Sequence, residues 1–334
     1  MSSMESAAKL SQMVLAFQTS QVIYVAVQLG VVDHLKDGAR TSDDLARATK
    51  THPKMLYRLL RAAAAVGIVH ESAGKNFSIT SLGDCLRSDA PYPVSPLTKH
   101  FGSPHIWQAW GNLLHSVRTG EMAFQHVHGM ANWEYYQKHP EAGAVFDTVQ
   151  TAHTRSDLQS IMNAYDFSSF GHVIDVGGGA GLFLTEILKA NAQMRGTLFD
   201  QPDVISRAPA PTAGIAHRYT MSAGSFFDSV PKDGDAYLLK HILHDWDDDA
   251  CGTILRTIRK VIKASARLLV FERIVSPPNE GALTKLSDLN MMCLAGGEER
   301  SVDEFASLLA STGFRLERVV STTGRNSVLE AIPT

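Results

Sequence analysis

Cysteine is scarce in this chain of 334 residues: Cys85, Cys251 and Cys293 stand far apart and outside any C-x-x-C spacing. That excludes a disulfide framework and a cysteine-built zinc site, and leaves buried free thiols as the expectation. An excess of one charge is lacking too. With 31 Lys and Arg against 34 Asp and Glu, the formal net charge is −3, which offers no footprint for a phosphate backbone. No uncharged apolar run reaches about 18 residues, so no membrane span is expected. The opening Met1-Ser2-Ser3-Met4-Glu5-Ser6 lacks a basic segment leading into an apolar one, so no secretory leader is expected and the cytoplasm is the default location. What is present is an ordinary globular mixture, 44% hydrophobic and 19% charged, long enough for two domains with a sizeable core.

From Ala7 to Leu35 apolar residues are dense at helical spacing, with Gly30 as a stop. Thr41-Ser42-Asp43-Asp44 opens a short helix, and His52-Pro53 opens a second that runs through Ala65. Ile68–Glu71, Gly74-Lys75 and Asn76–Thr80 then read as a hairpin, so the segment has the plan of a winged helix. Its recognition-helix candidate carries Lys54, Arg58 and Arg61, but Ala62-Ala63-Ala64-Ala65 suits tight packing and no dense basic face forms, which disfavours DNA. Asp89-Ala90-Pro91-Tyr92-Pro93-Val94-Ser95-Pro96 has linker composition and sets an expected boundary: residues 1–96 as a helical winged module, 97–334 as a second domain. Within the latter, 97–170 read as helical. Residues 171–334 alternate strands and helices, with seven strands ending in a hairpin: an α/β, doubly wound Rossmann-like sheet whose last strand is antiparallel.

The densest chemical signal is Val173-Ile174-Asp175-Val176-Gly177-Gly178-Gly179-Ala180-Gly181-Leu182-Phe183. A β-branched strand passes through a glycine turn into a helix, leaving the backbone open to a nucleoside. The spacing is G-x-G-x-G, without the third glycine of G-x-G-x-x-G, which argues against a pyrophosphate. Asp200 ends the next strand, where a carboxylate accepts both hydroxyls of a ribose. Gly224-Ser225-Phe226-Phe227, with Met221, offers apolar flats for an adenine. S-adenosylmethionine, an adenosine without phosphates, fits this set. After the fourth strand, His244 in Lys240-His241-Ile242-Leu243-His244-Asp245-Trp246 stands on the ligand edge, where a general base with an ordinary pKa of about 6.5 would stand. Neither His241 with His244 nor His126 with His128 is completed by a carboxylate or cysteine pattern, so no metal is expected.

These segments, with Phe199-Asp200-Gln201-Pro202, Phe271-Glu272-Arg273 and Gly296-Gly297-Glu298-Glu299-Arg300, resemble the small-molecule O-methyltransferases of the caffeate and hydroxyindole type, including bacterial secondary-metabolite enzymes. The resemblance covers nearly the whole chain. It implies His244 as base with Glu272 and Glu299 flanking it, and Asp175, Gly177, Gly179, Asp200, Gly224, Ser225, Phe226, Phe227 and Lys240 around S-adenosylmethionine, with S-adenosylhomocysteine as product. It also implies an aromatic small-molecule acceptor and a homodimer through the N-terminal domain, with no nucleic acid or membrane partner. Expected acceptor contacts are Trp107, Trp110, Phe124, Met130, Phe146, Gln150, Asn290 and Met291. Two departures stand out: Ser225 where many members carry Asp, and Gln150 where plant members often carry a substrate-facing methionine. N- or C-methylation on the same scaffold, and a cofactor-sensing winged-helix regulator, are the competing readings.

Overall fold

The computed structural model describes residues 2–334 and resolves into two compact units, residues 2–107 with 140–152, and residues 108–139 with 153–334. This division differs from the boundary that composition suggests at residue 96. The proline-rich stretch is a local loop, because helix Ser95–Phe101 still packs on helix Ser3–Gln28: Gln21 Nε2 donates to the Gly102 carbonyl at 3.5 Å.

In the first unit, helix Ser3–Gln28 starts at a capping box of Ser2 and Glu5 and stops before Gly30, which takes φ +65°. Strands β1 (Arg40–Thr41), β2 (Val69–Ser72) and β3 (Asn76–Ile79) form a sheet in the order β1-β3-β2. Helices Ser42–Ala48 and Pro53–Ala65 pack on it through Leu45, Leu56, Leu60, Ala63 and Phe77, giving the winged-helix plan. Thr41 caps the first of them by accepting from the Asp44 N–H at 3.1 Å.

The long N-terminal helix buries only Ala26 and Val27 in its own chain. Met13 and Val14 stand 64% and 66% exposed, with Leu10, Leu15 and Phe17 also open. It is long and apolar enough to cross a membrane by length and composition alone, a test that the core helix of a soluble protein and a signal sequence also pass. An apolar strip of this extent calls for a partner surface.

The second unit is built on a seven-stranded sheet: β4 (His172–Val176), β5 (Arg195–Asp200), β6 (Tyr219–Ala223), β7 (Ala236–Lys240), β8 (Arg267–Glu272), β9 (Phe314–Ser321) and β10 (Ser327–Pro333). Its order is β6-β5-β4-β7-β8-β10-β9, parallel from β6 to β8, with β10 antiparallel to both neighbours. Both faces are covered, so the central strands are apolar on both sides. Tyr237, Leu239, Leu268 and Val270 meet helices Asp248–Arg259 and Val302–Ser311, while Leu238, Leu269 and Phe271 meet helix Leu182–Ala190 and the last turns of helix Pro140–Ala164. The order reverses at β4, so a crevice opens past the ends of β4 and β7. Five strand ends, Val176, Asp200, Ala223, Lys240 and Glu272, share that edge.

If the exposed strip is a self-association face, Leu10→Glu with Val14→Glu should convert a dimer to a monomer by light scattering after gel filtration. An unchanged mass would show that the strip is not the interface.

Candidate active site

The glycine turn after β4 is built as a cradle. Gly177 and Gly179 take φ +72° and +58°, a region that side-chain-bearing residues rarely adopt. A Cβ on Gly177 would stand 2.4 Å from Ile242 Cδ1, whereas a Cβ on Gly179 would meet no heavy atom of the described residues within 4 Å. The turn is therefore closed toward the protein and open outward. One of its amides and one from the end of β5 orient the ribose candidate: Gly179 N–H donates to Asp200 Oδ2 at 2.8 Å, and Gln201 N–H to Asp200 Oδ1 at 2.7 Å. Asp175 is buried at the end of β4, and its Oδ2 has no hydrogen-bond partner among the described residues. Burial, helped by the charge of Asp200 and opposed by Lys240, pushes its carboxyl up to about 7. Lys240, whose own pKa burial lowers, donates to Thr154 Oγ1 at 3.2 Å.

Beyond β6, Phe226 and Phe227 lie edge to face with ring centroids 4.9 Å apart, and Phe227 lies edge to face with Trp246 at 4.8 Å. Gly224 is packed under Phe199, where a Cβ would stand 2.7 Å from the ring. The Ser225 hydroxyl, in place of a carboxylate, accepts from the Phe227 N–H at 3.2 Å and so shapes the turn. An orphaned buried acid, an open glycine face, an oriented carboxylate and an aromatic shelf together suit S-adenosylmethionine, which presents an amine, a ribose and an adenine.

The second half of the site is a 3-10 turn, Leu243–Asp245, gripped from both sides. Glu272, fully buried at the end of β8, uses Oε1 to accept the amides of Ile242, Leu243 and His244 at 3.0, 3.0 and 3.4 Å. Its Oε2 lies 2.9 Å from His244 Nδ1, an ion-pair distance at which the ring N–H points out of line, so a modest ring rotation would align it. Arg300, 1% exposed, donates to the carbonyls of Leu243 and Trp246 at 3.0 and 3.1 Å and pairs with Asp248 and Glu298. Gly297 fits flush beneath: a Cβ there would stand 2.1 Å from the His244 carbonyl oxygen. Glu299 Oε2 lies 3.8 Å from Nδ1, and its Oε1 accepts from Ser287 Oγ at 2.8 Å and pairs with Arg273 at 3.5 Å.

The electrostatics follow from this crowding. Burial opposes charge on His244, but Glu272, Asp245 and Glu299 together outweigh it and raise the imidazole to about 9. Burial likewise raises Asp245 to about 7 and lifts Glu299 above the usual range, each opposed by His244. Ligand atoms of His244, Glu272 and Glu299 lie within 4.8 Å of one another, a spacing compatible with a cation. His244 and Arg273 already stand against those two acids, so the trio is self-balanced as acid and imidazole.

The expected acceptor residues separate. In the sheet-bearing unit, Trp110 Nε1 donates to Asn290 Oδ1 at 3.0 Å, with Met291 next to it on helix Ala282–Leu294 and Met130 half-buried after Gly129. Phe124 corrects the expectation: it is fully buried, packed on His128 and Tyr135, and has no face open to a ligand. Trp107, Phe146 and Gln150 belong to the other unit, where Trp107 meets Phe17 edge to face and Phe146 packs on His100. Sequence reasoning assigned no role to Asp245, Arg273, Ser287 or Arg300, although both arginines close motifs it had noted.

Gly297→Ala should displace the His244 turn, because the clash is with backbone, and lower turnover at least about tenfold while the protein still folds. Retained activity would show that the turn is not held by this contact. For Asp175, a raised folded-state pKa means that stability falls as pH rises from about 4 to 7 and stays reduced above that. Asp175→Asn should therefore stabilise more at pH 8 than at pH 5, by about 2 kcal/mol, in urea melts of the ligand-free protein. An equal effect at both pH values would contradict the assignment.

Comparison with known proteins identifies the family. Residues 110–315 match an O-methyltransferase domain and residues 11–89 an O-methyltransferase dimerisation domain. The phenazine O-methyltransferase of Lysobacter antibioticus is 39% identical over 97% of this chain and 95% of its own. The crystal structure of a mitomycin 7-O-methyltransferase superposes with a TM-score of 0.94 at 35% identity, covering 99% of this chain and 98% of that one. An O-methyltransferase of neocarzinostatin biosynthesis, crystallised with S-adenosylmethionine and 2-hydroxy-5-methyl naphthoic acid, superposes at 0.82 with 31% identity, covering 95% and 96%. The chain belongs to the S-adenosylmethionine-dependent O-methyltransferase family, with that family's dimerisation domain at its N-terminus.

Proposed function

We propose that this homodimeric enzyme methylates a hydroxyl of an aromatic secondary metabolite, with His244 as general base. The observation that carries the base assignment is the placement of Glu272 Oε2 at 2.9 Å from Nδ1, which leaves Nε2 as the nitrogen to receive a proton. When bound, S-adenosylmethionine supplies a methyl group activated by its sulfonium. Asp200 would hold the ribose beside Gly177 and Gly179, Phe226 and Phe227 would flank the adenine above Gly224 and Ser225, and Asp175 and Lys240 would face the aminoacyl end.

The chain's own contribution is then alignment, dehydration and proton removal. His244 Nε2 takes the proton of the acceptor hydroxyl, whose oxygen keeps the electron pair as nucleophile. The imidazolium so formed is balanced by Glu272 and Glu299, whose carboxylates already lie 2.9 and 3.8 Å from Nδ1. Trp110, Met130, Asn290 and Met291 supply an aromatic, apolar and amide set suited to a planar acceptor, and a phenazine-type or naphthoate-type phenol is the class to try first. Three free cysteines support a reducing, cytoplasmic setting.

His244→Gln should lower turnover by about 10²–10⁴ while S-adenosylmethionine binding by calorimetry stays within a few-fold. The base must be neutral to accept a proton, and its pKa is raised to about 9, so wild-type turnover should climb as pH rises from 7 toward 9. Radiolabelled methyl transfer to a panel of phenols, hydroxyquinones and hydroxylated N-heteroaromatics reads both effects. Turnover within several-fold of wild type in the variant would remove His244 from the mechanism, and a methylated nitrogen or carbon in the product would overturn O-methylation.

A further inference from the structure

A second buried histidine lies against the base, and the reaction as described makes no use of it. The His241 and His244 rings are stacked, with centroids 5.3 Å apart and planes within 24°. His241 takes φ +54°, a left-handed conformation that is strained for a residue with a side chain and persists where its surroundings hold it. Its Nε2 lies 2.9 Å from Asn326 Oδ1, and Asn326 Nδ2 lies 2.9 Å from Asp157 Oδ2 on helix Pro140–Ala164. On the other side, Nδ1 lies 3.5 Å from Lys240 Nζ, which also donates to Thr154. His241, Asn326 and Asp157 are all buried.

Each link has one direction. An ionised Asp157 only accepts, so Asn326 must present its NH₂ to it and its carbonyl to His241. His241 Nε2 must then carry the hydrogen, leaving Nδ1 as an acceptor facing an ammonium that only donates. We propose that Lys240, His241, Asn326 and Asp157 form a directional relay that holds His241 as a neutral Nε2–H imidazole against His244, so that only one of the two stacked rings can take the substrate proton. His241 is thus a positioning residue, and the inference rests on His244 being the base.

The surrounding charges agree with it. His241 faces Lys240 from its own strand end, His244 from the turn and Arg273 from beyond β8. Burial first, then Lys240 and His244, hold its pKa well below the ordinary value. Asp157, the acid at the end of this chain of hydrogen bonds, is a full amide away and is also approached by Arg325 at 3.8 Å. His244 faces Glu272, Glu299 and Asp245 instead. Two imidazoles in contact therefore have opposite surroundings, and a cation on His241 would oppose the one that must form on His244.

The test is ¹⁵N spectroscopy of histidine-labelled intact protein between pH 6 and 9, with His241 and His244 assigned by the loss of each signal in His241→Phe and His244→Gln. His241 should appear as the Nε2–H tautomer throughout and should not titrate; titration in this range, or the Nδ1–H tautomer, would overturn the relay. The paired exchange Asp157→Asn with Asn326→Asp keeps every hydrogen bond but brings the carboxylate onto His241. It should protonate that ring and lower the His244 midpoint by about one unit, a shift that disappears when His241→Phe is added. An unmoved His244 midpoint also overturns the proposal, and if the exchanged protein does not fold, the wild-type tautomer decides alone. Failure of the base reading is separable: His244→Gln would then keep its turnover in the methyl-transfer panel whatever the spectra show.

Discussion

Glu272 is the group on which the reactive half of this protein depends. It ends β8 with no exposure to solvent, so its charge must be compensated inside the protein. One oxygen gathers three amides of the turn that follows β7, and the other stands at Nδ1 of His244. The same carboxylate thereby shapes the backbone that carries His244, the proposed base, and favours a charge on its ring. Removing one partner of such a buried pair typically costs about 3–5 kcal/mol, so geometry and electrostatics here are not separable by a single substitution.

Around that pair the fold supplies fixed distances. Parallel strands end on one edge of the sheet, so the ribose candidate on β5, the lysine on β7 and the glutamate on β8 are neighbours without being close in sequence. Arg300 and Gly297 come from the segment after helix Ala282–Leu294 and clamp the far side of the His244 turn through its carbonyls. A turn held through its amides by one side chain and through its carbonyls by another has little freedom left, which is what a base positioned for proton transfer requires.

Much of this was legible in the chain. The strand, glycine turn and helix around Gly177 are local: β-branched residues, positive-φ glycines and an apolar helical stripe lie within a dozen residues and need no distant partner. The seven strands and the winged module were readable for the same reason, and Asp200 ends its strand as expected. His244, Glu272 and Glu299 were readable through their motifs, but the distances between them were not. Composition marks a proline-rich stretch but not its packing: the helix that begins at its end contacts the first helix. Phe124 shows the same limit, because an aromatic at helical spacing reads alike whether it lines a pocket or fills a core.

By itself, then, the sequence determined the fold class and the glycine turn, because each is encoded within a short window by backbone sterics and hydrophobic period, while the candidate reacting side chains were marked only by motifs that resemble a family's. The tertiary structure alone decided which groups share a proton or a charge. Asp157 and Asn326 are 169 residues apart and carry no local mark, yet burial at the sheet edge forces them to satisfy each other and, through His241, to reach the neighbour of the base. Folding has a comparable effect on His244, whose affinity for a proton is raised by Glu272 and Glu299, brought to it from distant segments, as well as by Asp245 of its own motif.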